Sequence, residues 1–265
     1  MSRLSSEAVK IRIKPYDIEV PEENPFQHDA LDRKEYVEIL ARLVKSVDGP
    51  GVFGIDGDWV HGKTTFLRVL QRYLANQDVP VVHFNAWETD YVSDPFTAIA
   101  TELTDGLREK SAEIDGKARE AIDRGLQQAM AVMKARWPAM LRALASQVPM
   151  VGKELAEIVD GLADSFVGDR IAAYREAGKS VREFTGALED MARNVSGDPE
   201  HPLLVVMIDE LDRCRPTYAV ELLEVAKHLF SVNGVVFVVA VNRAELAHSV
   251  QALYGSGFDA KGYLG

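Results

Sequence analysis

Short apolar runs alternate with longer amphipathic stretches along this chain, which is the pattern of an α/β protein. The apolar runs at 52–55, 79–84, 203–208 and 235–241 have the length of strands. The last two are apolar on both faces, which is typical of the centre of a parallel sheet covered by helices. Helical periodicity follows the runs at about 64–75, 94–107, 216–230 and 244–253. We therefore predict a three-layer α/β fold built on a parallel sheet.

The N-terminal part of the chain adds two elements to this pattern. Val9–Lys14 alternates apolar and basic residues before Pro15, which predicts an edge strand or extended arm within residues 1–23. A helix is predicted at 30–47, ended by the turn Asp48-Gly49-Pro50-Gly51. The apolar residues that share one side of this helix are Leu31, Tyr36, Ile39, Leu40, Leu43 and Val47.

Residues 106–198 contain no convincing strand and interrupt the alternation as a long α-helical insert. They carry apolar stripes at helical spacing, which predict helices that pack on each other and on the rest of the protein. The alternative is a docking surface for a partner or a membrane interface. Charges at Arg142, Lys153 and Glu154 argue against a bilayer span. The predicted core is thus split into residues 24–105 and 199–265.

The composition narrows the function classes. A net charge of -11 over 265 residues argues against sequence-independent binding to nucleic acid, which needs clustered basic residues. The single cysteine, Cys214, cannot form an internal disulfide, and we interpret it as a buried small residue. The sequence shows neither a signal-peptide core nor a run of roughly 18 uncharged apolar residues. These features predict a cytoplasmic protein without a transmembrane span.

The segment GDWVHGKT follows the first apolar run, precedes a helical stretch and fits the pattern G-x-x-x-x-G-K-[ST]. Glycines in such a loop turn backbone N–H groups toward an anion, and the following helix adds its positive dipole end. Lys63 is predicted to reach the β- and γ-phosphates of a nucleotide, and Thr64 to ligate Mg²⁺. The alternative is a glycine turn with an exposed lysine. The predicted phosphate-binding residues are Gly57, Asp58, Trp59, Val60, His61, Gly62, Lys63, Thr64 and Thr65.

Two acidic residues, Asp209 and Glu210, follow the apolar run at 203–208. Carboxylates at the end of a buried strand, downstream of a phosphate-binding loop, fit the second nucleotide motif of such proteins. We predict that Asp209 holds Mg²⁺ and that Glu210 activates the attacking water as a general base.

Other residues near the strand ends have two interpretations each. Asn242 is either a sensor of the γ-phosphate and its water or the N-cap of the next helix. Arg213, Arg215 and Arg243 are candidates for neutralising transition-state charge, or else structural arginines. Trp87, in the segment Phe84-Asn85-Ala86-Trp87, is interpreted as a core aromatic residue rather than a ligand contact.

With these motifs, the chain resembles the KAP family of P-loop NTPases from about Asn24 onward. The resemblance implies an ATPase whose sheet has an extra strand between the strands that carry the two nucleotide motifs. It also implies that Glu210 is the catalytic glutamate. Relatives act as nucleotide-controlled switches in signalling or phage defence, often at membranes. The segments that carry the resemblance are GDWVHGKTTFL, FNAW, VVMIDELDRCRP, ELLEVAKHLF, VVFVVAVNRAEL and YGSGFDAKGYL.

Three features differ from the family pattern. Many relatives have membrane helices where this chain has a charged insert, and many have Asp where this chain has Asn242. Relatives continue beyond the pair Tyr263–Leu264 into a further strand, a lid and helices, which this sequence lacks. We therefore expect an unpaired edge at Val52–Ile55. Either Val9–Lys14 or a second subunit is expected to cover this edge, unless the chain is a fragment of a longer protein.

The sequence thus predicts Mg²⁺-dependent ATP hydrolysis used as a conformational switch, with self-association or a protein partner docking through the helical insert. Two alternatives stay open. One is a nucleotide-binding assembly scaffold that hydrolyses little or no ATP. The other is a small-molecule phosphotransferase, although the insert has no obvious arginine cluster of the kind expected in the lid of such an enzyme.

Overall fold

The structure is a computed structural model that describes residues 19–58, 62–92, 95–111, 120, 182, 185–196, 198 and 200–264. Its strands are β1 (Gly51–Asp56), β2 (Val81–Asn85), β3 (Leu204–Asp209) and β4 (Val235–Val241). Its helices are α1 (Lys34–Lys45), α2 (Lys63–Ala75), α3 (Pro95–Ser111), α4 (Pro216–Leu229), α5 (Arg243–Tyr254) and α6 (Ala260–Tyr263). A 3₁₀ turn, Leu211–Arg213, follows β3, and residues 185–195 are helical.

The four strands form one parallel sheet in the order β1-β4-β3-β2. β4 therefore lies between β1, which precedes the phosphate-binding motif, and β3, which carries Asp209. This is the extra strand that the family resemblance implies. One face of the sheet packs against α1 and α2, and the other packs against α3, α4 and the helical residues 185–195. The predicted three-layer α/β fold is confirmed.

Burial differs between the central strands and the edge strand. All residues of β3 are buried, and β4 has one partly exposed position, as expected for runs that are apolar on both faces. β1 alternates between partly exposed and exposed residues, and within the described part of the chain it pairs with β4 alone. Val52 is 46% exposed, and no second strand of the described part of the chain pairs with this edge, as expected. Val9–Lys14, one of the two expected covers, lies outside the described residues, as do the other residues before 19.

The predicted helix at 30–47 forms as α1, but its predicted apolar side is mostly not the buried one. Val37, Ala41 and Val44 face the core beside α2 and the sheet. The helix has two apolar stripes, and periodicity alone cannot say which of them meets the sheet. Leu40 and Val47 of the predicted side pack partly against this core. The exposed residues of that side are Leu31, Tyr36, Ile39 and Leu43.

Both ends of the predicted insert pack on the sheet. Leu107 in α3 shares one core cluster with Leu188, Met191 and Val195 from the helical residues 185–195. A Cβ at Gly106 would lie 2.9 Å from Val82 Cγ1, so α3 approaches β2 closely. The apolar stripes predicted between 112 and 181 lie outside the described residues. Among the helices that the structure describes, none combines the length and apolar character needed to cross a bilayer.

Candidate functional site

The carboxyl ends of the four parallel strands meet at one edge of the sheet, where ligands bind in open α/β folds. The register places Asn85, at the end of β2, opposite Asp209, at the end of β3. Asp56 ends β1 opposite Val241 of β4, and Asn242 follows directly. The topology therefore brings both predicted nucleotide motifs to the same edge.

The phosphate-binding motif lies between β1 and α2, as predicted. Gly57 N donates to Val241 O at 3.2 Å, which fixes the start of the loop. Gly62 directly precedes α2 and has a left-handed φ of 68°, which glycine adopts readily. Because it is a glycine, it has no side chain to cap the N–H groups of the first turn. Arg33 Nη1 donates to Gly62 O at 2.8 Å. Trp59, Val60 and His61 lie outside the described residues.

Lys63, the first residue of α2, folds back over the start of the loop. Its Nζ donates to Gly57 O and lies 3.4 Å from Asp58 O. Thr64 and Thr65 follow in the first turn and are partly buried. An ammonium group, two hydroxyl groups and the backbone N–H groups of the first helical turn therefore gather at a helix N-terminus, which is the chemistry of a phosphate site.

Asp209 is 1% exposed, and its two carboxylate oxygens lie in different environments. Oδ1 accepts from Glu210 N at 2.8 Å, whereas Oδ2 has no hydrogen-bond partner among the described residues. His83 Nε2 lies 4.0 Å from Oδ2. Burial lowers the pKa of His83 below its ordinary value and outweighs the opposing effect of Asp209, so the imidazole is neutral at neutral pH.

These residues fit a divalent cation. Thr64 and His83 line one cleft of about 170 Å³, and His83 is the neighbour of Asp209 Oδ2. A buried carboxylate oxygen without a partner is costly, and an oxygen-binding cation with its water offsets that cost. Asp209 and Thr64 are therefore the residues that would hold Mg²⁺.

Both carboxylate oxygens of Glu210 are bonded by side chains. Oε1 accepts from Arg213 Nη1 at 2.7 Å, and Oε2 accepts from Asn85 Nδ2 at 3.2 Å. Glu210 itself has a left-handed φ of 58° between β3 and the 3₁₀ turn. Arg213 thus contacts the predicted general base. Asn85 is not among the predicted site residues, although a polar side chain directly after a predicted strand is a signal of the same kind as Asp209 and Asn242.

Asn242 is the N-cap of α5, because its Oδ1 accepts from Ala244 N at 3.1 Å and Glu245 N at 3.3 Å. That interpretation is confirmed. Its Nδ2 lies 3.4 Å from Asp58 Oδ1, so the same side chain also contacts the loop. The sensor role stays a prediction.

The other two arginines make contacts that support the local structure. Arg215 pairs with Asp90 at 2.7 Å. Arg243 donates from its backbone N to Asp56 Oδ1 at 3.0 Å and from its guanidinium to Leu264 O at 3.0 Å. Neither geometry brings the guanidinium to the predicted general base, in contrast to Arg213.

The structure confirms the interpretation of Cys214 and contradicts that of Trp87. Cys214 is 6% exposed, which confirms the interpretation as a buried small residue, and burial raises the pKa of its thiol to about 12. The interpretation of Trp87 as a core aromatic is wrong, because the side chain is 54% exposed. Trp87 lies in the turn after β2, where its backbone N donates to Asn85 Oδ1 at 3.1 Å.

The parallel sheet with an inserted strand, the loop at the N-terminus of α2 and the buried acid on β3 define a P-loop nucleotide-binding domain. A profile of the KAP family P-loop domain matches residues 33–264. The chain belongs to the KAP family of P-loop domains, and this membership indicates nucleotide binding. A comparison with curated proteins gives no match.

Proposed function

We propose that the protein binds ATP with Mg²⁺ and hydrolyses it, using the nucleotide state as a conformational switch. The observation that carries this proposal is the convergence of Lys63 and Thr64 with Asp209 and Glu210 at one edge of the sheet. A charged phosphate site beside a buried carboxylate, Asp209, and a partly buried one, Glu210, provides the groups that phosphoryl transfer to water requires.

Each residue of the site has a defined part in this proposal. The residues of the loop bind the phosphates through backbone N–H groups, and Lys63 neutralises the charge of the β- and γ-phosphates. Thr64 and Asp209 hold Mg²⁺, which supplies charge neutralisation when bound. Glu210 accepts a proton from the attacking water. Asn242 Nδ2, already beside Asp58, senses the γ-phosphate.

The proposed role of Arg213 in the reaction depends on a change of its hydrogen-bond partner. Its guanidinium neutralises charge on the phosphates only after it leaves Glu210 Oε1, to which it is bonded at 2.7 Å. We therefore assign this exchange of partners to the nucleotide-bound state, where the phosphates offer the guanidinium a stronger anionic partner.

A second candidate function is a nucleotide-binding scaffold with little hydrolysis of its own. The observation that favours it is that Arg213 and Asn85 engage both oxygens of Glu210. A carboxylate held in this way accepts a proton from water less readily.

The biological setting follows from the family resemblance alone. We place the switch in phage defence or membrane-associated signalling, in the cytoplasm or at the membrane surface. Self-association or a protein partner that docks through the insert would read the nucleotide state.

Phosphate release from ATP and Mg²⁺ by the purified protein tests the proposal, with Glu210→Gln alongside. Turnover by the wild type that falls at least a hundredfold in Glu210→Gln, while ATP still binds, supports hydrolysis with Glu210 as general base. Nucleotide binding without turnover supports the scaffold. Turnover that Glu210→Gln leaves unchanged contradicts the role of Glu210. Absence of nucleotide binding would contradict both functions.

A further inference from the structure

Asn85 is fixed in its place by the sheet and by its own turn. It pairs with Asp209 in the register of β2 and β3, and Ala86 N donates to Asp209 O at 3.0 Å. Its Oδ1 accepts from the backbone N of Trp87 at 3.1 Å and of Glu88 at 3.4 Å. These amide donors determine the orientation of the carboxamide, because only the oxygen can accept from them.

The amide nitrogen of Asn85 must therefore face the opposite way, toward two carboxylates. Nδ2 lies 3.0 Å from Glu88 Oε1 and 3.2 Å from Glu210 Oε2. It has two hydrogens and donates one to each acceptor. Asn85 thus links the end of β2 to the predicted general base, which directly follows the neighbouring strand β3.

The two partners of Glu210 differ in how firmly they are held. Asn85 ends a strand of the sheet, whereas Arg213 lies in a short 3₁₀ turn with its side chain 40% exposed. The arginine can leave Oε1 by changing rotamers, but Asn85 cannot leave without disturbing its own turn. Glu210 Oε2 accepts a neutral hydrogen bond from Asn85 and keeps a second lone pair that can accept another.

We propose that Asn85 is a positioning residue for hydrolysis, which holds Glu210 through Oε2 so that Oε1 meets the attacking water once Arg213 has moved away. This inference rests on the proposed hydrolytic function. Asn85 contributes no group to the reaction itself. Its contribution is to restrict the carboxylate to one rotamer, which lowers the entropy cost of reaching the reactive geometry.

The variant Asn85→Asp separates this role from a structural one. Its Oδ1 still accepts from Trp87 N and Glu88 N, so the turn is kept, but the donor toward Glu210 becomes an anionic acceptor. We expect kcat to fall at least tenfold, while KM and the Kd for ATP change less than threefold. The control Glu88→Gln alters the other acceptor of Asn85 and is expected to change kcat less than threefold.

Two further measurements keep the inference falsifiable. In a Glu210→Gln background, Asn85→Asp is expected to change the residual single-turnover rate less than twofold, because its effect acts through Glu210. The double variant Asn85→Asp, Glu88→Gln removes the repulsion between the carboxylates at positions 85 and 88, and its melting curve reports whether it folds. It is expected to melt cooperatively and to keep the loss of kcat.

If the wild type hydrolyses ATP and Asn85→Asp has the same kcat, the inference about Asn85 is overturned and the proposed hydrolysis stands. An equal loss with and without Glu210 also overturns it, because the effect would then not pass through the carboxylate. Absence of turnover in the wild type overturns the proposed hydrolysis and the inference with it. These results distinguish the two failures.

Discussion

His83 Nε2 and Asp209 Oδ2 lie 4.0 Å apart, both buried and both without a hydrogen-bond partner among the described residues. Because burial lowers the pKa of His83, the imidazole does not offset the carboxylate charge at neutral pH. The protein therefore carries a local free-energy cost at the position where the proposed function needs a cation.

Asp209→Asn removes this buried charge and keeps an oxygen for Glu210 N. We expect a melting temperature about 2–4 °C higher for the nucleotide-free protein, which corresponds to about 1 kcal/mol. We also expect that Mg²⁺ no longer raises the melting temperature measured with ATP, because the ion has lost its anionic ligand.

Differential scanning calorimetry with ATP, in the presence of Mg²⁺ or of a chelator, checks both parts of the Asp209→Asn prediction. The wild type is the control for the Mg²⁺-dependent increase. If the variant keeps that increase, Asp209 is not a ligand of the ion.

Lys63→Ala tests the phosphate site. The ammonium contacts only loop carbonyls in the structure as described, so its removal is expected to leave the fold intact. Loss of a charge-assisted contact to the phosphates is expected to weaken ATP binding at least tenfold. Titration with a fluorescent ATP analogue measures the Kd. The matched control is Lys45→Ala, which removes an exposed lysine bonded to Gln77 Oε1. Equal affinity of wild type and Lys63→Ala would show that Lys63 does not contact the phosphates.

Arg213→Ala separates two roles of this side chain. One is the contact with Glu210 that the structure contains, and the other is the proposed neutralisation of charge on the phosphates. If the guanidinium neutralises charge on the phosphates, kcat at saturating ATP falls at least tenfold. If it only restrains Glu210, turnover stays equal or rises. We expect the fall. Steady-state kinetics with Arg193→Ala as control checks this, since Arg193 forms an exposed pair with Asp190 at the same i,i+3 spacing as Arg213 and Glu210.

The sequence predicts β3 and β4 well because their burial is nearly complete. β3 and β4 are apolar on both faces, and such runs have few alternatives to the centre of a parallel sheet. The order β1-β4-β3-β2 cannot be derived from periodicity, and the family resemblance implies only the position of β4 between β1 and β3. Strand order depends on contacts between distant segments, which a local pattern does not record.

The errors concern side chains whose environment depends on tertiary contacts. Periodicity found two apolar stripes on α1, and the packing of α2 and the sheet selected Val37, Ala41 and Val44. An aromatic residue type favours the core for Trp87, but this residue lies in the turn that follows β2, and its side chain is 54% exposed. Asn85 itself was missed because its partner, Glu210, is 125 positions away in the sequence.

Gly62→Ala tests whether the loop needs its left-handed glycine. At a φ of 68° an alanine costs roughly 1 kcal/mol in backbone strain, and its Cβ would lie 3.2 Å from Arg33 Nη1. We expect a lower free energy of unfolding by about this amount, together with weaker ATP binding, because Arg33 must shift from Gly62 O.

Urea denaturation and ATP titration measure the two effects of Gly62→Ala, with Gly54→Ala as the matched control in β1. A Cβ at Gly54 meets nothing within 4 Å, and this glycine is not among the described residues with positive φ. Gly54→Ala is therefore expected to leave ATP binding unchanged and stability equal or slightly higher. The same effect from both variants would mean that neither the left-handed conformation nor the contact with Arg33 matters to the loop.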